Sequence, residues 1–175
     1  MTSAPASEDS DRPMLDNGLT GTVHSINISG GGVPKKTIDD AQVSRLSVVG
    51  DVQNDTEGHG GPDRAVCVYC VELINALQRE GHPIRIGTVG ENLTIEGLNW
   101  GLVVPGARIR CGEEVELEVA SFTSPCKTIK DSFIDGHFKR ISQKVNPGWS
   151  RVYARVLAEG KIRRGDRVQL IPSGA

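Results

Sequence analysis

Cys126 is the residue of this sequence best placed to do chemistry. It lies in the stretch Ser121-Phe122-Thr123-Ser124-Pro125-Cys126-Lys127-Thr128. The thiolate rather than the thiol is the nucleophile and metal ligand, and nearby cations and the free amides of a helix start both favour it. Lys127 and Lys130 supply the cations, and Ile129 and Phe133 at spacing four predict a helical segment over residues 127–133 that places Cys126 at its N-terminus. A nucleophile, a sulfur carrier or a soft metal ligand would suit this setting. An inert buried cysteine, packed as a small hydrophobe, fits the same stretch.

A second concentration of unusual residues runs Asn54-Asp55-Thr56-Glu57-Gly58-His59-Gly60-Gly61-Pro62-Asp63-Arg64. His59 could donate to a ligand or move a proton near neutral pH. Gly60 and Gly61 let a backbone approach a ligand closely, and Arg64 can grip a phosphate in bidentate fashion. A long turn with His59 capping a carbonyl is the plainer alternative. Asn92 offers donors and an acceptor to the edge of a heterocycle, and could equally close a turn. Arg151 follows Trp149 in a turn opened by Asn146-Pro147-Gly148; the indole could stack on a ring or anchor the turn on the core. Cys67 and Cys70 form a C-x2-C, but no second pair follows at zinc-site spacing, and a strand through Cys70 turns the two thiols to opposite sides. Gly30-Gly31-Gly32 precedes no helical pattern and reads as a loop, with Lys35 and Lys36 as solvated charges. His82 reads as solvent-facing and His137 as lying on a polar side.

These residues need elements to hold them. Val115, Leu117 and Val119 alternate with Glu116, Glu118 and Ala120, the period of a half-buried strand that must stop at Pro125. Further strands are predicted over residues 21–28, 45–49, 65–69, 152–157 and 168–171, and the stretch 89–95 starts with a glycine and becomes a strand. Cys70, Leu73, Ile74 and Leu77 mark one amphipathic helix ending near Gly81 and Pro83. Residues 131–144 read as broken helix, with Gly136 as the break. Residues 101–109 and 160–168 share one pattern of glycines, an arginine and a β-branched residue, so similar turn-to-strand corners occur twice, as in a small barrel.

A chain of 175 residues suits one domain, and Gly 21 with Pro 9 and only 4% aromatics points to short strands joined by turns. The net charge of -2, from 20 basic and 22 acidic residues, provides no global field for nucleic acid or an anionic membrane. No apolar run of about 18 residues exists. The first 20 residues are polar and acidic, without the pattern of a secretory signal, and are expected to form a disordered tail. A cytoplasmic location is therefore expected, with the four cysteines free.

Gly50-Asp51, the His59-Gly60-Gly61 loop with Asp63-Arg64-Ala65, Gly90-Glu91-Asn92, Cys126, and Tyr153-Ala154-Arg155-Val156 followed by Gly160 and Gly165-Asp166 occur in that order. In that order they resemble the MOSC domain, the C-terminal domain of molybdenum cofactor sulfurases, which also occurs as a stand-alone bacterial protein. The resemblance places such a domain over residues 21–172, behind the tail at 1–20. It implies a mainly β fold: a mostly antiparallel β-barrel with a few peripheral α-helices and a cleft for the molybdenum cofactor (molybdopterin). In the amidoxime-reducing relatives the cysteine matching Cys126 is a molybdenum ligand. Arg64, Lys127 and Arg151 would then hold the pterin phosphate beside Gly60 and Gly61, while His59 and Asn92 would face the metal or the pterin. Two functions follow from the resemblance. One is a molybdenum-dependent reductase of N-hydroxylated bases or amidoximes, acting on a small-molecule substrate through Cys126 and His59. It would be re-reduced by a separate electron-donor protein, since the sequence shows no flavin or iron-sulfur motif. The alternative is a carrier whose Cys126 holds a persulfide, or the whole cofactor, for delivery to other metalloenzymes. Oligomeric state stays open, a homodimer included.

Overall fold

The computed structural model describes residues 16–53 and 60–175. The expected tail, as far as residue 15, and the loop from 54 through His59 lie outside the described residues.

In chain order the elements are β1 (Thr20–Ile28), β2 (Lys36–Ile38), β3 (Asp40–Val43), β4 (Val66–Cys70), α1 (Val71–Arg79), β5 (Leu93–Glu96), β6 (Arg108–Cys111), β7 (Val115–Phe122), β8 (Val152–Ala158), β9 (Gly160–Arg163) and β10 (Arg167–Ile171). Pairing in the order β1-β10-β6-β7-β8-β4-β5 and back to β1 closes a barrel of seven strands. Every pairing around it is antiparallel except β4 with β5, which α1 connects as a crossover. β2 extends the sheet from β1, and β3 pairs with β9 in a separate ribbon. This is the mainly β, mostly antiparallel barrel that the sequence implied.

The barrel interior is filled by alternating strand residues, among them Leu93, Ile95, Ile109, Leu117 and Val119. In β1 the apolar residues Val23 and Ile26 are three apart, which in a regular strand would send them to opposite faces. A bulge in the β1–β5 pairing between Val23 and Ser25 absorbs one residue, so both reach the core. α1 buries Val71, Ile74 and Leu77. A second cluster outside the barrel unites Ile74 and Leu77 with Tyr69, Ile84, Ile129, Phe133 and Ile141.

The helical segment predicted after Cys126 and the broken helix predicted over 131–144 together form a run of 3-10 turns, Lys127–Ser132, Ile134–Gly136 and Phe138–Ile141, with positive φ at Asp135 and Gly136. One strand expectation is corrected: residues 45–49 form no strand, only a single bridge between Val43 and Val48. Of its apolar side chains Val48 is buried in the core, while Leu46 and Val49 are 62% and 52% exposed. Among the described residues no helix is long and apolar enough to cross a membrane.

Candidate functional site

β7 delivers Cys126. Val115, Leu117 and Val119 point inward along the strand, pairing ends at Phe122, and Pro125 bars a further ladder bond. Cys126 then adopts an extended conformation as the cap of the 3-10 turn Lys127–Ser132, and its carbonyl accepts from Ile129 N–H at 3.2 Å. It is half-buried and borders a cavity of about 450 Å³. Ser124, Thr128 and Ile129 share its wall. Facing walls come from distant segments: Lys35 after β1, Asp51 before the second loop, Cys67 on β4, Asn92 before β5, and Arg151 and Tyr153 at the start of β8.

The polar wall is built around a buried carboxylate. Lys35 Nζ lies 2.6 Å from Asp51 Oδ1 and 2.8 Å from Oδ2. Ser29 N–H donates to Oδ1 at 2.9 Å and Asn92 Nδ2 to Oδ2 at 2.9 Å. The second Asn92 Nδ2 hydrogen goes to Asn27 O at 3.3 Å, and Asn92 Oδ1 accepts from Cys67 N–H at 3.0 Å. Asn92 therefore borders the cavity with both donors directed at the protein, and it orients Asp51. Burial pushes the Cys67 thiol up to about 11, against the opposing charge of Arg151. Burial also raises the Glu91 carboxyl above its ordinary range. Its Oε1 accepts from Gly87 N–H at 2.6 Å, while its Oε2 has no partner among the described residues.

Arg151 is enclosed, at 7% exposure. Its Nη1 donates to Val89 O, and its Nε has no partner among the described residues. Two aromatic donors fix the preceding turn: Tyr69 Oη to Trp149 O at 2.8 Å and Trp100 Nε1 to Ser150 O at 2.9 Å. The Trp149 ring is stacked by the Arg140 guanidinium at 3.7 Å, so the indole anchors the turn and does not line the cavity.

Of the residues singled out from sequence, the fold brings Cys126, Asn92 and Arg151 to one cavity. Gly60, Gly61, Arg64 and Lys127 lie outside its lining. Arg64 sits 5.6 Å from the centroid of the Tyr153 ring, behind that wall, and Lys127 is exposed. His59 lies outside the described residues. Two readings are corrected. Lys35 is not a solvated charge, because its side chain is only 9% exposed on the Asp51 carboxylate. His82 does not face solvent: its ring packs edge-on to Phe133 and its Nδ1 accepts from Ile134 N–H at 3.1 Å. The sequence reading missed Lys35, Cys67 and Tyr153 as cavity residues. Asp51 carried a signal, since Gly50-Asp51 belongs to the ordered set of motifs.

Residues 55–169 match the family model of the MOSC domain. Uncharacterized protein YflK of Bacillus subtilis is 34% identical over 131 residues, which are 74% of this chain and 58% of that protein. A protein of Gibberella moniliformis named "Reductase" is 31% identical over 133 residues, 73% of this chain and 23% of its own length. The chain thus spans only part of these relatives. Among solved structures, YiiM from Geobacillus stearothermophilus superposes with a TM-score of 0.68 at 26% identity, over 86% of this chain and 75% of that one.

Proposed function

Since the chain belongs to the MOSC domain family, which is associated with the molybdenum cofactor, we propose that the Cys126 cavity holds that cofactor and that the domain reduces N-hydroxylated bases or amidoximes. The observation that carries the reading is the meeting of Cys126 with the enclosed Arg151, whose Nε lacks a partner among the described residues, at one cavity.

The residues present suit the group. A pterin phosphate needs buried cationic donors, and Arg151 Nε and the remaining Lys35 N–H are such donors. Molybdenum held by sulfur donors would take a cysteine sulfur as a further ligand, and Cys126 would supply it. Among the described residues no three His, Cys, Asp or Glu side chains gather, so a single thiolate would complete a coordination sphere brought mainly by the cofactor. The cavity volume of about 450 Å³ is within the range of small-molecule sites.

When bound, the group supplies two-electron, oxygen-accepting chemistry. In the net reaction the substrate N–O bond breaks, two electrons and two protons are taken up, and the reduced nitrogen base and water are released. A separate electron-donor protein loses the two electrons. Lys35, held by Asp51, presents a cationic N–H donor at the wall, and Val33, Val89 and Ile129 contribute to the apolar part of the lining. The reductase named in Gibberella moniliformis supports the reading over the region it shares with this chain.

The test is molybdenum and pterin content of protein made in a cofactor-producing host, for wild type and Cys126→Ser, with thermal unfolding as folding control. The expected result is about one molybdenum per chain, lost in a folded Cys126→Ser, together with amidoxime reduction by the loaded wild type under dithionite. Neither metal nor pterin in the wild type would overturn it. A transferable persulfide on Cys126 with no turnover would establish the carrier function instead.

A further inference from the structure

We propose that the groove beside the Cys126 cavity is the docking face for an acidic electron-donor protein; this rests on the reductase reading and deepens it. The groove, about 580 Å³, runs between the exit of β7 and residues 139–145. Phe122, Pro125, Lys139, Lys144 and Val145 are among the residues that line it, and Val145 is 59% exposed. Ser124 lines both this groove and the Cys126 cavity, so a protein seated here stands within two residues of the thiol.

Charge decides the partner. Residues 127–144 hold Lys127, Lys130, Lys139, Arg140 and Lys144 against Asp131 and Asp135, five basic to two acidic, whereas the whole chain carries -2. The four lysines are exposed, and none forms an ion pair among the described residues. On the barrel surface, by contrast, Arg108 and Arg110 face Glu116, Arg155 faces Glu118 and Asp63, and Lys161 faces Asp40. Lys139 and Lys144, left uncompensated in a groove that also exposes Val145, supply the mix of charge and apolar surface of a small, transient interface, with Lys127 and Lys130 adding charge from the same segment. Such a charged surface steers an acidic partner and sets its encounter rate. Four lysines on a chain of net negative charge make a poor track for a nucleic-acid backbone, which would need a continuous basic stripe.

The experiment compares wild type with Lys139→Glu/Lys144→Glu in binding a small acidic [2Fe–2S] ferredoxin and a hexaglutamate peptide, at low and high salt. A short DNA duplex is the third probe. Both acidic probes are expected to bind the wild type in a salt-sensitive manner, and the double variant to weaken them about tenfold or more. Dithionite-driven turnover and thermal unfolding should stay unchanged in the variant, while ferredoxin-driven turnover falls. No binding of either acidic probe, equal binding by wild type and variant, or tighter binding of the duplex that the variant abolishes would each overturn the docking face. Ferredoxin binding that the variant weakens, in a wild type without dithionite-driven turnover, would leave the docking face standing and remove the reductase reading.

Discussion

Lys35 and Asp51 form an enclosed ion pair, 2.6 Å between Nζ and Oδ1 with side chains 9% and 2% exposed, in the wall of the cavity that Cys126 borders. Removing one partner of such a pair strands a charge away from water and costs about 3–5 kcal/mol, whereas removing both costs less than the sum. Lys35→Met and Asp51→Asn are each expected to lower stability by about 3 kcal/mol in urea unfolding. The double variant should lose clearly less than the two together. Additive losses would mean that solvent reaches the pair.

The four cysteines should separate by reactivity. Cys126 is half-buried at the cavity, whereas Cys67, Cys70 and Cys111 are buried, with thiols pushed up by burial to about 11, about 12 and about 12. Iodoacetamide at pH 8 is expected to label the native protein at Cys126 alone, and all four sites after denaturation. Mass spectrometry of digested wild type and Cys126→Ser checks this. Native labelling that survives in Cys126→Ser would show that one of the buried thiols opens to solvent.

Much of the barrel was legible because its cues are local. β7 announces itself by strict alternation and ends at a proline, and α1 by a stripe at three-four spacing. The Cys126 position followed from those cues, since it is where the strand must end. Lys35 was not legible. Its burial depends on Asp51, sixteen residues on, and on Gly87, whose carbonyl accepts from Lys35 N–H at 2.8 Å. Neither contact leaves a periodic trace. The false strand at 45–49 failed for a different reason: of its apolar residues only Val48 is buried, while Leu46 and Val49 face solvent, so hydrophobicity there does not report a strand face.

Glu91 should make stability fall with pH. Its carboxyl is fully enclosed and raised above the ordinary 4.5, chiefly by burial. Between that value and the raised one, the folded chain holds a proton that the unfolded chain has released, so rising pH favours unfolding. Above the raised value the loss is complete and the curve flattens. Glu91→Gln keeps an acceptor for Gly87 N–H and has no proton to lose. Thermal midpoints measured from pH 4.5 to 8 should therefore decline in wild type and stay flatter in the variant. A wild type whose stability rises over that window would contradict the assignment.

Gly87 ties this carboxylate to the lysine across the cavity wall. Its N–H donates to Glu91 Oε1 at 2.6 Å, its carbonyl accepts from Lys35 N–H, and its φ is +82°. A methyl group there would stand 2.2 Å from Lys35 O, a backbone atom that cannot rotate away. Gly87→Ala therefore combines left-handed strain of about 1–2 kcal/mol with displacement of the strap that carries Lys35, for a total of about 3 kcal/mol. Gly148→Ala separates the two costs, because Gly148 has φ +88° and nothing within 4 Å of an added methyl. Urea unfolding is expected to show a loss of about 1–2 kcal/mol for Gly148→Ala and clearly more for Gly87→Ala. Equal losses would show that the Lys35 strap yields, and that the ion pair in the cavity wall is held by its own hydrogen bonds and not by the backbone behind it.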